Sequence, residues 1–280
     1  MSRIIHFRKF EKVDVAANIL VTFLAVLNLF PLYWLITNSL KYSAAIYKMP
    51  PDWIPKTFYV KNYLELFGNQ PAFRWAFNSI FVSIISTLLV VAFSSMAAYA
   101  FAKMEFKGRN TLFLLLISTL MVPKEIFIVP LFKIMIRFNW VDKFEGMIFP
   151  NLATAFGVFL LRGFFEAVPD SIRESGKLDG ANEIIIFTKL IMPILKPGIG
   201  ALFILNFVQV WNDYLWQLLI GNSKNMLTLM VGTATLMQEL NPNFAYKLAG
   251  ATVAAVPMIL IFLIFQKYFT GGITMGAVKG

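Results

Sequence analysis

Residues 173–197 read RESGKLDGANEIIIFTKLIMPILKP and concentrate charged and conformationally special residues between two apolar runs. Glu174 and Lys177 stand at i, i+3 on one face of a helix that begins at Pro169 and Asp170. The pair Asp179-Gly180 supplies a turn. A second amphipathic stretch, ANEIIIFTKLIMP, follows until Pro193 and Pro197 end it. The chemistry open to this set is recognition rather than bond making: a carboxylate offered to a basic group, on a knob of two short helices around a glycine corner. Taken alone, the residues leave two readings. The knob fits a socket in another protein, or it lies on lipid headgroups as an interfacial helix.

A second polar set sits inside an apolar run, GIGALFILNFVQVWNDYLWQLLI, where Asn206, Gln209, Asp213 and Gln217 recur at spacings of three and four and share one helical face. A charge at the bilayer centre costs about 2.5–3.5 kcal/mol on insertion scales, so Asp213 is expected to face a cavity or a partner helix. A lining for a hydroxyl-rich solute and a polar seam with a partner both remain open. Trp211 and Trp216, near the outer end, fit an interface belt. In MVPKEIFIVP, Pro123 frees the carbonyl four residues back, beside Lys124 and Glu125. Such a section must be sheltered or line a wet cavity, which fits a pathway bend or a salt-bridged kink. Arg162 and Glu166 have the i, i+4 spacing of a local ion pair.

Other chemistries lack their residues. The chain has no Cys and a single histidine, His6, which excludes disulfides, thiolate metal sites, cysteine nucleophiles and histidine metal clusters. No serine-histidine dyad is evident, and no G-x-x-x-x-G-K-[ST] run occurs. A chain without catalytic residues, metal or nucleotide site of its own is expected.

The elements that must position these residues follow from composition. With 58% hydrophobic residues, 14% charged residues and a mean hydropathy of +0.69, the chain carries more apolar surface than one soluble core could bury. Continuous apolar stretches, rather than short alternating ones, predict an all-α integral membrane protein in the lipid bilayer. The expected spans are 15–40, 78–102, 110–136, 146–168, 198–220 and 248–269, within a single transmembrane domain over 1–280. Arg3, Arg8, Lys9 and Lys12 hold residues 1–14 in the cytoplasm, and no signal-peptide cleavage site is evident. Six crossings leave both termini, the loop 169–197 and the tail 270–280 cytoplasmic, and the loops 41–77 and 221–247 outside. Basic cytoplasmic loops account for the formal charge of +10, so no nucleic acid is implied. In the span 78–102, Ser79, Ser83, Ser94 and Ala98 leave room for close helix contacts.

The stretch 173–197 closely resembles the signature of ATP-binding-cassette importer permeases: a Glu with two small residues, a Gly, then an aliphatic-x-aliphatic-Pro ending. Glu174, Ser175 and Gly176 hold the first part, with Ser175 and Gly176 in place of the family's usual Ala pair. Gly180 holds the turn, and Leu190, Met192 and Pro193 the end. NSIFVS, SSMAAYAFAK, MVPKEIFIVPLF, FGVFLLRGFF, LDGAN, WNDYLW and the terminal GAVKG resemble, in order, landmarks of the carbohydrate-importer branch, specifically its smaller, maltose-type permease subunit.

The resemblance implies a type I importer permease fold of six transmembrane helices with a cytoplasmic coupling-helix loop, in the inner or plasma membrane of a prokaryote. It implies a heterodimer with a homologous permease, two ATPase subunits that bind ATP and Mg, and an extracytoplasmic solute-binding protein. Glu174, Ser175, Gly176, Asp179, Gly180, Ala181 and Pro193 would form the ATPase-coupling site, and Gly276, Lys279 and Gly280 a tail reaching towards the ATPase dimer interface. The loop 221–247 would probe the binding protein. Asn206, Gln209, Asp213 and Glu125 are the candidate pathway residues. The implied substrate is a carbohydrate such as an oligosaccharide, with glycerol-3-phosphate or a polyol as the alternative. An ion-coupled secondary transporter built on Asp213 and Glu125 is the more distant one.

Overall fold

The computed structural model describes residues 12–238 and 243–277, and among them every regular element is a helix. Among the described residues three helices are long and apolar enough to cross a membrane: Ala17–Ser39, Ala72–Lys103 and Phe244–Ile264. Three bent pairs pass the same test jointly: Arg109–Met121 with Lys124–Arg137, Phe144–Asn151 with Ala155–Glu166, and Glu183–Ile191 with Lys196–Trp211. Counting each pair once gives up to six spans.

The chain divides into two compact units. One comprises 1–69 and 239–253, the other 70–238 and 254–280. In the first, the helix Lys12–Ser39 leads into an ordered loop. Buried Lys41 donates to Asn38 Oδ1 at 2.8 Å and to the Asp52 carbonyl, and Asn62 Nδ2 donates to the carbonyls of Ser39 and Lys41, both at 2.8 Å. The Tyr33 hydroxyl donates to the Trp53 carbonyl at 2.6 Å.

The second unit is organised on Ala72–Lys103. This helix begins after Pro71, six residues before the expected span, because AFRWAF contains nothing that stops a helix. Ser79, Ser83, Ser94 and Ala98 are all buried on it. Close approach is real at Gly157, where a Cβ would lie 2.4 Å from Ser94 Oγ.

Several expected spans are interrupted. Pro123 follows the short turn Thr119–Met121, and the two halves of that span meet at 90°. The span expected over 146–168 bends by 50°, and Thr154 restarts its second half by accepting from the Gly157 N–H at 3.2 Å. The run expected over 198–220 is helical over Lys196–Trp211 and again over Leu215–Ile220. Between them Asp213 Oδ1 accepts from the Trp216 N–H at 3.4 Å, the competition with backbone hydrogen bonding that makes Asp poor inside helices and good before them.

Two regions outside the expected spans are helical. Leu229–Gln238, inside the loop 221–247, buries Leu229, Val231, Gly232, Thr233 and Leu236. The last helix runs Phe244–Ala277, so the glycines at 271 and 272 do not end it. Glycine costs a helix about 1 kcal/mol relative to Ala but keeps the backbone N–H that proline lacks.

Candidate functional site

The helix Asp170–Leu178 ends in a complete Schellman motif. Gly180 adopts φ +78°, its N–H donates to the Lys177 carbonyl at 3.0 Å, and the Ala181 N–H donates to the Gly176 carbonyl at 2.9 Å. That left-handed corner is why a glycine stands at 180. Asn182 then caps the next turn, its Oδ1 accepting from the Ile185 N–H at 2.9 Å. The chain continues through Glu183–Ile185 into a π-helical turn, Ile186–Ile191, closed by Met192 N–H donating to Phe187 O at 2.9 Å.

The two halves of this loop meet at Gly176. A Cβ there would lie 2.8 Å from Leu190 Cδ1 and 3.0 Å from Ile186 Cγ1. Ile186 and Ile191 are buried with Tyr99, Leu161, Phe165 and Leu195. Ala181 packs against the same core, whereas Ser175, Asp179, Gly180 and Pro193 are exposed.

Glu174 is exposed and makes no hydrogen bond or ion pair with the described residues. Lys177, at i+3 on the same helix, reaches Glu183 at 3.2 Å. One turn after Glu174 on the same helix Leu178 is 89% exposed, and on the second half of the loop Ile184 is 72% exposed. A free carboxylate flanked by bare aliphatic side chains on an ordered base has the make-up of a docking face.

Sequence reasoning missed the groups that hold this face in place. Glu183 accepts from Arg173 through both carboxylate oxygens, from the Tyr99 hydroxyl at 2.6 Å, and from Lys177. The Arg173 guanidinium, with Tyr99 and Lys177 adding to it, outweighs partial burial and holds the Glu183 carboxyl down at about 2. Lys103 Nζ donates to Asp170 Oδ1 and to the Val168 carbonyl, both at 2.6 Å, and this hydrogen bond lowers the pKa of Asp170. The available signal was Tyr99 and Lys103 at i, i+4 at the end of an apolar helix.

The candidate pathway residues do not form one face. Asn206 is buried and donates to Thr87 Oγ1 at 3.0 Å, a seam between two helices of the same chain. Gln209 is exposed, Asp213 lies in the break after Trp211, and Gln217 is buried on the helix beyond it. Glu125 is exposed on the turn Lys124–Phe127 and has no ion pair among the described residues, so the bend is not salt-bridged through it. Trp216 is buried, its indole donating to the Gly146 carbonyl at 2.9 Å, and Trp211 is buried too, so neither serves as an interface belt. Arg162 does pair with Glu166, at 2.8 Å. Gly276 falls in the last helix, while Lys279 and Gly280 lie outside the described residues.

Residues 90–274 match the family described as binding-protein-dependent transport system inner membrane component. The arabinooligosaccharides transport system permease protein AraQ of Bacillus subtilis is 36% identical over 98% of this chain and 99% of its own length. The sulfoquinovosyl glycerol transport system permease protein SmoH of Agrobacterium fabrum is 32% identical over 95% and 93%. The sn-glycerol-3-phosphate transport system permease protein UgpE of Yersinia enterocolitica is 28% identical over 93% and 95%. Among solved structures, a chain of a bacterial ABC transporter involved in the import of the acidic polysaccharide alginate shares the fold, with a TM-score of 0.80 at 22% identity over 94% of this chain and 99% of that one.

Proposed function

Because the chain belongs to the family of binding-protein-dependent transport system inner membrane components, we propose that residues 169–197 are its joint to ATPase subunits and that it forms half of a translocation pathway for a carbohydrate. The observation that carries the joint is Glu174, exposed and unpartnered one turn from the bare Leu178, on a base fixed by the Schellman corner and by Glu183. A lipid-facing helix would turn its apolar face to the bilayer and its charges to water. Here the outermost surface mixes a free carboxylate with bare aliphatic groups, which suits a protein cleft that supplies both a cation and an apolar wall.

In this reading the chain is non-catalytic, and two partner ATPase subunits bind ATP and Mg. A homologous permease completes the pathway, and an extracytoplasmic binding protein delivers the substrate to a prokaryotic inner membrane in which both termini are cytoplasmic. Asp179, Ser175 and Pro193 belong to the docking face, and Gly176 and Ala181 to its packing base. Gly276, Lys279 and Gly280 form a tail directed at the ATPases. Gln209, Asp213 and Glu125 remain pathway residues, since each has an exposed or half-exposed side chain, while Asn206 serves the internal seam.

An oligosaccharide is the substrate class supported by the arabinooligosaccharide permease at 36% identity. Glycerol-3-phosphate is the second reading, supported at 28%. Titration of the binding protein encoded beside this gene with arabino-oligosaccharides and with glycerol-3-phosphate, followed by calorimetry, decides between them. Binding of neither class removes the substrate assignment. The joint is tested by purifying the chain with its neighbouring ATPase: failure to co-purify, with the permease pair intact, removes it.

A further inference from the structure

Among the described residues, four of the up to six candidate spans contain proline in their interior, Pro31, Pro123 with Pro130, Pro150 and Pro257, and the span entered from 169–197 contains Gly198 and Gly200. The sixth, Ala72–Lys103, has neither Pro nor Gly in its 32 residues. Kinks in helices come from Pro, from Gly and from inserted side chains, so among the described residues this is the one span whose sequence makes it stiff along its whole length.

Both ends of that helix are tied by hydrogen bonds to loops. At the inner end Tyr99 and Lys103, one turn apart, each hold a different half of the segment 169–197: Lys103 takes Asp170 at the head of the first helix, and Tyr99 takes Glu183 at the head of the second. At the outer end Trp75 Nε1 donates to the Lys224 carbonyl at 2.7 Å. Asn78 Nδ2 donates to the carbonyls of Asn225 and Leu227 at 2.7 and 2.9 Å, and Ser79 Oγ accepts from the Leu229 N–H at 2.7 Å. The 21 residues from Asn78 to Tyr99 span about 31 Å at 1.5 Å per residue, the thickness of the hydrocarbon layer.

Resting on the reading of 169–197 as the ATPase joint, we infer that Ala72–Lys103 is a rigid connecting rod. It transmits movement of that joint to the outer loop 224–229, with Tyr99 and Trp75 as the positioning residues of its two ends. A helix bonded at one end to both halves of a moving segment shifts with it as a body, and any loop bonded to its far end is displaced in step. Linkage makes the effect reciprocal: whatever fixes the outer loop biases the inner segment by the same factor.

The absence of cysteine from this chain provides the test. Ser223→Cys, on an exposed position beside the bonded loop, creates this chain's only thiol, whose labelling is read on this chain after the subunits are separated. Its rate of labelling by a membrane-impermeant maleimide is measured in the assembled complex, with and without ATP and orthovanadate, and normalised to trapped nucleotide. Tyr99→Phe with Lys103→Met deletes the side-chain hydrogen bonds of the inner end, and Trp75→Phe with Asn78→Leu and Ser79→Ala those of the outer end. The expected result is a vanadate-dependent shift in labelling in the parent that is lost in both combined variants, per nucleotide trapped, and kept in Lys107→Ala, whose side chain is exposed in the turn after the helix and outside 169–197. A shift that survives in either combined variant overturns the rod, as does a parent thiol indifferent to vanadate. A parent that retains no ATPase subunits overturns instead the joint on which the rod rests.

Discussion

Gly232 lies against the indole of Trp75 so closely that a Cβ on it would sit 2.3 Å from the ring. The ring is almost wholly buried and its Nε1 is committed to the Lys224 carbonyl, so it cannot swing aside as a flexible aliphatic chain would. Gly232→Ala is therefore expected to destabilise the protein by about 1–3 kcal/mol, the usual cost of overpacking. The thermal midpoint of the detergent-purified chain reads it; an unchanged midpoint shows that the ring moves freely. Deletion of Thr233 to Leu240 removes part of a buried helix, so assembly falls together with any response to a binding protein.

At Gly180 the demand is purely on the backbone, since a Cβ there meets nothing within 4 Å while φ is +78°. Gly180→Val costs about 1–2 kcal/mol for an L-residue held in the left-handed region. Gly180→Asn is milder because Asn tolerates that region. ATPase co-purification is expected to rank wild type, Asn, Val in descending order, and equal retention of all three would place the corner outside the joint.

Charge reversal at the exposed carboxylate tests the docking face itself. A charge-assisted hydrogen bond in a partly buried socket is worth about 1.5–3 kcal/mol, against about 0–1 for a solvent-exposed pair. Glu174→Lys is expected to lose ATPase retention or substrate uptake, with Lys189→Ala close to wild type. Normal retention and uptake in Glu174→Lys would return 169–197 to the membrane surface.

The Glu183 carboxyl, held at about 2 against an ordinary 4.5, fixes a pH window. A carboxylate whose pKa is depressed by folding stabilises fully above the unfolded value and loses that contribution as pH falls towards the folded one. The gap in thermal midpoint between wild type and Glu183→Gln should hold constant from neutrality down to pH 4.5 and close between 4.5 and about 2. A gap that closes near neutrality would show that another group dominates.

The seam between Asn206 and Thr87 predicts a coupling energy of about 0.6 kcal/mol, and at most about 1.7, in the cycle of Asn206→Leu and Thr87→Val. Thermal midpoints of the two single variants and the double variant read it. Strict additivity of the two substitutions would remove the bond at 3.0 Å as a contributor to stability.

Composition and pattern were enough to place this chain in a bilayer as helices. Apolar runs of spanning length have no other way to satisfy their backbone groups, and the ordered landmarks around Glu174, Gly180 and Pro193 carried the family. Gly180 could be read as a turn because positive φ selects glycine by local sterics alone. The partners of each polar side chain were not legible. Asn206 at three- and four-residue spacing from Gln209 and Asp213 looks like one face only if the helix continues, and it stops at Trp211, leaving Asp213 in the break to accept from the Trp216 N–H. Lys177 stands a turn from Glu174, yet its ammonium goes to Glu183, which the Gly180 corner brings round from the other half of the loop. Tyr99 and Lys103 read as the end of an apolar helix; their roles depend on Glu183 and Asp170, 84 and 67 residues further along the chain. Contacts at such separations are set by how helices pack in three dimensions, and no local period in the sequence records them.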